Sequence, residues 1–108
     1  MQVTCEETDA ALVVRLSGEI IMDAVTECRA EVERLVLAAA APAVVVDLSG
    51  VAFMDSSGVG FLIGLRRLCQ DHDKTLSVAN PTPPIKKLLA MLRLTDYFAA
   101  PQTGPSAA

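Results

Sequence analysis

The stretch from Val44 to Gly60 constrains the fold more than any other. Val44, Val45 and Val46, extended by Leu48, make a short apolar run of the kind that is buried on both faces in the middle of a sheet. Asp47, Ser49 and Gly50 are expected to stop that strand, leaving Val51 to Met54 as a second apolar patch beyond it. Asp55-Ser56-Ser57-Gly58 then leads into a run, Val59 to Cys69, whose length and paired arginines suit a helix. The first backbone N–H groups of a helix lack intrahelical partners and carry partial positive charge, so an anion is stabilised there. Asp55, Ser56 and Ser57 are three candidates for one capping role. At least one of them is left over at the carboxyl edge of a sheet, where α/β folds place functional groups.

The chain before this stretch opens with two expected strands, Gln2 to Glu6 and Ala11 to Ser17, joined by a hairpin turn at Thr8-Asp9-Ala10. Leu12, Val14 and Leu16 alternate with Val13, Arg15 and Ser17, the period-two pattern of a strand with one face partly wet. Gly18 suits a turn and Asp23 a helix cap. From Asp23 to about Ala39, Val25, Cys28, Val32, Leu35, Val36 and Ala39 recur at three- and four-residue steps, which predicts an amphipathic helix ended by Pro42. After the central stretch, Gln70 to Lys74 reads as a polar turn and Thr75 to Ala79 as a strand. Thr82 as cap and Pro83 in the first turn start a third helix that runs to about Arg93. A short helix or strand is expected over Thr95 to Phe98. The order β-β-α-β-α-β-α predicts an α/β fold with a mixed sheet of four to five strands and helices mainly on one face. Residues 1–98 form the expected domain, and 99–108, rich in Ala and Pro, a flexible tail.

Composition excludes several classes of function. The 108 residues carry a formal net charge of −4, and the lysines and arginines are scattered, so no basic surface for nucleic acid is expected. Cys5, Cys28 and Cys69 are odd in number and widely spaced, which suggests neither a disulfide framework nor a metal site. No amino-terminal signal pattern is visible and no window has the apolar length of a membrane span, so a cytoplasmic protein without cofactor is expected. Gly60 and Gly64 form a small-xxx-small pair, for which close packing by a sheet or neighbouring helix is the expected cause. His72, flanked by Asp71 and Asp73, reads as part of a solvated turn.

Asp47-Leu48-Ser49 through Phe53-Met54-Asp55-Ser56-Ser57-Gly58-Val59-Gly60 resembles the STAS domain of bacterial anti-sigma factor antagonists. Gly18-Glu19-Ile20 lies before these residues, and Val78-Ala79-Asn80-Pro81 and the helix from Ile85 follow them in the family's order. The resemblance runs from about Leu12 to Phe98. It implies a binding protein and not an enzyme: an antagonist that engages an anti-sigma factor with serine kinase activity and so releases a sigma factor. It further implies that the kinase phosphorylates Ser56, which weakens binding, and that a serine phosphatase resets the switch. Asp55, Ser57 and Gly58 match neighbouring family positions at the partner surface. The family commonly has an aspartate after the Gly-Glu-aliphatic triplet; here Ile21 stands there, with Asp23 two places on. Ile20, Ile21 and Met22 therefore form an apolar tip that either tucks into the core or offers the partner a hydrophobic anchor.

Two other classes compete. A serine hydrolase would need a Gly-x-Ser-x-Gly elbow and a histidine base, but Met54 or Asp55 stands where the leading glycine belongs, and His72 is the lone histidine. The stronger rival is a STAS subunit of a lipid-transport or larger signalling complex, whose loop serine docks a partner without being phosphorylated. A nucleotide role has no glycine-rich phosphate loop behind it.

Overall fold

The computed structural model describes residues 1–99. In chain order they form β1 (Gln2–Glu7), β2 (Ala11–Ile20), α1 (Met22–Ala38), β3 (Ala43–Met54), α2 (Ser56–Asp71), β4 (Thr75–Ala79) and α3 (Pro83–Met91). The sheet has four strands in the order β1-β2-β3-β4. β1 runs antiparallel to β2, while β2–β3 and β3–β4 are parallel. The expected element order and mixed sheet are what the molecule has. Thr8 closes the hairpin, its amide donating to the Ala11 carbonyl at 2.9 Å and its hydroxyl accepting from the Ala11 amide at 3.2 Å.

Leu12, Val14 and Leu16 of β2 and Val44, Val46 and Leu48 of β3 are buried with Val32 and Val36 of α1 and Leu62, Leu65 and Cys69 of α2. Helices α1 and α2 pack on each other and on the sheet, and α3 packs on β3. Val45 is only partly buried, so the valine run is not sealed on both faces as expected. Glu6, Arg15 and Asp47 form an ion-paired row, with Arg15 3.3 Å from Glu6 and 3.9 Å from Asp47. Pairs as exposed as Arg15 and Glu6 contribute little stability. Asp47 has a second set of partners: the Ser49 amide donates to its Oδ1 at 2.8 Å. That bond, opposed by burial and aided by the Ser49 and Asn80 side chains and the Arg15 charge, holds its carboxyl below the usual range.

Both long strands outrun the sequence expectation. β2 continues through Gly18 to Ile20, and β3 through Asp47, Ser49 and Gly50 to Met54, instead of stopping there. The reason lies in their pairing. Between Arg15 and Ser17 of β2, and again between Gly18 and Glu19, the facing stretch of β3 holds one residue more. Such bulges bend and twist a strand without ending it. A β-carbon on Gly50 would lie 2.8 Å from Ser17 Cβ, so glycine there permits the close approach. Gly18 adopts φ +92°, a conformation used here inside a strand and not in a turn. Each extra residue also resets which side chains point inward, and the buried set steps from Leu48 to Val51 to Met54.

Helix boundaries differ in instructive ways. Helix α1 starts at Met22; Ile21 is its N-cap without a side-chain bond, and Asp23 lies in the first turn instead of capping it. Its carboxyl end is held by Lys74, whose ammonium donates to the carbonyls of Ala39 at 2.6 Å and Ala41 at 2.8 Å. A cation there also complements the helix dipole. Thr82 occupies the N-cap position of α3 without capping it, because its hydroxyl donates instead to the Val51 carbonyl at 2.7 Å. Helix α3 ends at Met91, and Arg93 sits at φ +58°, outside helical geometry. Thr95 to Phe98 forms turns and neither a helix nor a strand. Phe98 is nevertheless buried, and its carbonyl accepts from the Val78 amide at 2.8 Å. Of the expected tail, only Ala99 lies within the described residues.

Candidate functional site

The carboxyl end of β3 delivers the chain into α2 at Asp55, which has extended backbone angles and takes the capping role. Its Oδ1 accepts from the Gly58 amide at 3.0 Å. Its Oδ2 accepts from the Met22 amide at 3.3 Å, the first residue of α1. One carboxylate therefore meets the positive ends of two helices. The Asp55 amide in turn donates to the Ile20 carbonyl at 3.3 Å, tying the loop to the end of β2.

With Asp55 as the cap, both serines are free for other work. Ser56 is the first residue of α2 and is exposed, while Ser57 is half-buried. Among the described residues neither hydroxyl has a hydrogen-bond partner. No acidic side chain belongs to the first turn of α2, so a charge on Ser56 would stand at the positive helix end with the Asp55 cap as its neighbouring carboxylate.

Gly58 is where α2 presses on the sheet. A β-carbon there would lie 2.5 Å from Met54 Cγ and 2.6 Å from the Ile20 carbonyl oxygen. The apolar tip before α1 divides between the two expected outcomes: Ile20 is fully buried, Ile21 is half-buried, and Met22 is 64% exposed, with Asp23 exposed beside it. The structure thus gathers Ile20, Met22, Asp55 and Gly58 around one loop, with Ser56 at its outer edge. Ile20 supports the loop from beneath; Met22 and Asp23 flank it on the surface.

The other singled-out residues fall elsewhere. His72 follows the last residue of α2, its Nδ1 3.0 Å from the Leu68 carbonyl. At 1.5 Å rise per residue the helix separates it from Ser56 by about 24 Å, too far to serve as its base. No group of three or more His, Cys, Asp or Glu among the described residues is placed to hold a metal ion. No helix among them is long and apolar enough to cross a membrane. Nothing lies within 4 Å of where a β-carbon would stand on Gly60 or Gly64, so the expected packing against that pair is absent among the described residues. Two features have no local signal in the sequence: the Asp55 to Met22 bond, and an apolar groove that Phe53 forms with α3.

Comparison with known proteins gives a consistent result. A family model described as "Mlab, STAS domain" matches residues 3–99. An anti-sigma F factor antagonist from Lysinibacillus sphaericus is 32% identical over 91 residues, 84% of this chain and 78% of the relative. Among solved structures, the anti-sigma factor antagonist SpoIIAA in its unphosphorylated form superposes with a TM-score of 0.76 at 27% identity, covering 98% of this chain and 92% of that one. The phosphorylated form of SpoIIAA, a Bacillus cell fate determinant, gives 0.70 at 26% identity, covering 98% and 96%.

Proposed function

The chain belongs to the STAS domain family, and from that premise we propose that it is an anti-sigma factor antagonist whose partner binding is switched off by phosphorylation of Ser56. The observation that carries this reading is an exposed serine at the first position of α2, directly after the Asp55 cap. Relatives of matching length are anti-sigma F factor antagonists, and a neighbour of the same fold exists in unphosphorylated and phosphorylated forms.

In this reading the protein is a cytoplasmic binding partner and not an enzyme. The partner, an anti-sigma factor with serine kinase activity, docks over Ser56 with Asp55, Ser57, Met22 and Asp23 around it, and a sigma factor is released. The γ-phosphoryl of ATP then passes to Ser56 Oγ with release of ADP, and a serine phosphatase later hydrolyses the ester. Phosphorylation adds about −1.5 to −2 charges and three acceptor oxygens. The helix end beneath tolerates them, so the fold stays as it is. In the interface the same group adds bulk, repels acidic groups and costs desolvation, so binding weakens.

Incubation with candidate anti-sigma kinases and ATP, followed by intact mass, tests this. One phosphate should be gained, Ser56→Ala should abolish the gain while leaving binding intact, and a persistent gain would move the site to Ser57. Phosphorylated protein that bound as tightly as the unmodified form would overturn the switch. A second reading, a STAS subunit of a lipid-transport or larger signalling complex, is favoured by the family description, which names a STAS domain and not an antagonist. Stable binding to a partner that never transfers phosphate is its signature.

A further inference from the structure

The last residues of β3 and helix α3 enclose an apolar groove of about 250 Å³, with Phe53 and Met91 on its rims and Lys87 as its one charged lining residue. We infer that this groove receives an acidic amphipathic helix of the same partner that docks over Ser56, which extends the interface proposed above and rests on it.

Three observations carry the inference. Large hydrophobic side chains left exposed among the described residues are Met22, Leu37, Phe53, Met91 and Leu92. Phe53 and Met91, at 50% and 72% exposure, line the groove, and Leu92, at 48%, follows Met91 just beyond the end of α3. Met22, a fourth, is held through its amide to Asp55. Exposed apolar side chains gathered in this way mark an interaction surface, whereas singly scattered ones do not.

Reach is the second. Phe53 precedes Ser56 by three positions, which places the two within about 11 Å along the chain. A specific interface of ordinary size covers about 800 Å² and 20–30 residues on each side. The loop from Asp55 to Gly58 with Met22 and Asp23 is far smaller, and the groove is the adjoining surface with the apolar character of an interface core.

Charge decides the occupant. In a chain of net charge −4, the segment from Pro83 to Thr95 carries no carboxylate, and of its cations Lys87 lines this groove while Lys86 lines the neighbouring one with Val78 and Phe98. Phe53 pairs with Glu19 on the strand side, so acidic groups of an occupant belong on the α3 side and its apolar stripe over Phe53 and Met91. A helix laid in a groove with anchors one turn apart fits that division.

Titration of the full chain with each purified serine-kinase anti-sigma factor of its own genome tests the proposal. A factor that binds the wild type should bind Phe53→Ser and Met91→Ser at least tenfold more weakly and Lys87→Glu at least fivefold more weakly. The substituted side chains are exposed, so the thermal midpoint and circular dichroism should stay unchanged. Binding within twofold of wild type by all three variants would overturn the groove and leave the antagonist reading standing. Absence of any binding factor would overturn both. A concentration-dependent dimer in sedimentation that Phe53→Ser disperses, with factor binding unaffected, would assign the groove to a second copy of this chain and overturn the inference.

Discussion

Asp55 and Met22 stand 33 positions apart and are joined by a hydrogen bond of 3.3 Å from the Met22 amide to Asp55 Oδ2. The same carboxylate caps α2 through the Gly58 amide. Two helix ends thereby share one anion, and the exposed Met22 is held beside the serine proposed as the switch. The site is a junction of α1, α2 and the ends of β2 and β3, not a loop alone.

Removing that carboxylate should therefore loosen two helices at once. Loss of an N-cap side chain costs about 0.5 to 2 kcal/mol, and Asp55→Ala should lower the unfolding free energy by that much in urea melts. Amide exchange at both Met22 and Gly58 should accelerate. Asp55→Asn keeps one side-chain oxygen and should protect one of those amides only. An unchanged urea midpoint for the alanine variant would mean that water replaces the carboxylate without loss.

The glycines of α2 should respond with opposite signs. Gly58→Ala drives a methyl into the Ile20 carbonyl, a backbone group that cannot swing aside, and overpacking of this kind costs about 1 to 3 kcal/mol. Gly60→Ala and Gly64→Ala meet open space and should each stabilise the helix by about 0.5 to 1 kcal/mol. Thermal midpoints of the three variants decide; a stabilised Gly58→Ala would contradict the packing at the helix start.

The capping chemistry of Asp-Ser-Ser-Gly, the apolar stripes of the helices and the alternation in β2 are local patterns, and they make the element order and the position of Ser56 legible from the residues alone. Asp47, Ser49 and Gly50 mislead because each is a turn former by itself. What overrides them is pairing of Asp47 with Arg15 and of Gly50 with Ser17, some 30 residues earlier, which no window of sequence contains. The first bulge turns Val51 inward against a period-two count and the second restores that count, so Met54 faces inward and Phe53 outward as alternation predicts, whereas the α3 wall of the groove beside Phe53 lies about 30 residues on and outside any local count. Thr82 fails as a cap for a related reason: a remote carbonyl, that of Val51, claims its hydroxyl. The split of Ile20 from Met22 likewise depends on where β2 ends against β3.

Cysteine reactivity offers an independent check of the core. Cys69 is fully buried, and burial pushes its thiol up, with the Lys74 ammonium opposing part of that rise. Thiolate is the reactive form. A thiol reagent at neutral pH should label the exposed Cys5 readily in the folded protein and leave Cys69 unlabelled until denaturant is added. Rapid native labelling of Cys69, located by peptide mass, would show that α2 does not seal the core.

Asp47 should make the protein acid-sensitive in a defined direction. Its carboxyl is held down first by the Ser49 amide, against the effect of burial, with the side chains of Ser49 and Asn80 and the charge of Arg15 adding to it. A depressed folded-state value means that the unfolded chain binds the proton more readily, so stability rises with pH across the interval between the two values. The contribution is complete above the unfolded value of about 3.9. It is lost as pH falls through the lower folded value, because the protonated acid no longer attracts Arg15 or accepts as strongly from Ser49. The wild-type denaturation midpoint should therefore drop on acidification below about pH 4 more steeply than that of Asp47→Asn, which has no proton to take up. At pH 7 the variant should be the less stable of the two. Parallel pH profiles for the two proteins would show that the Asp47 interactions add nothing to folding.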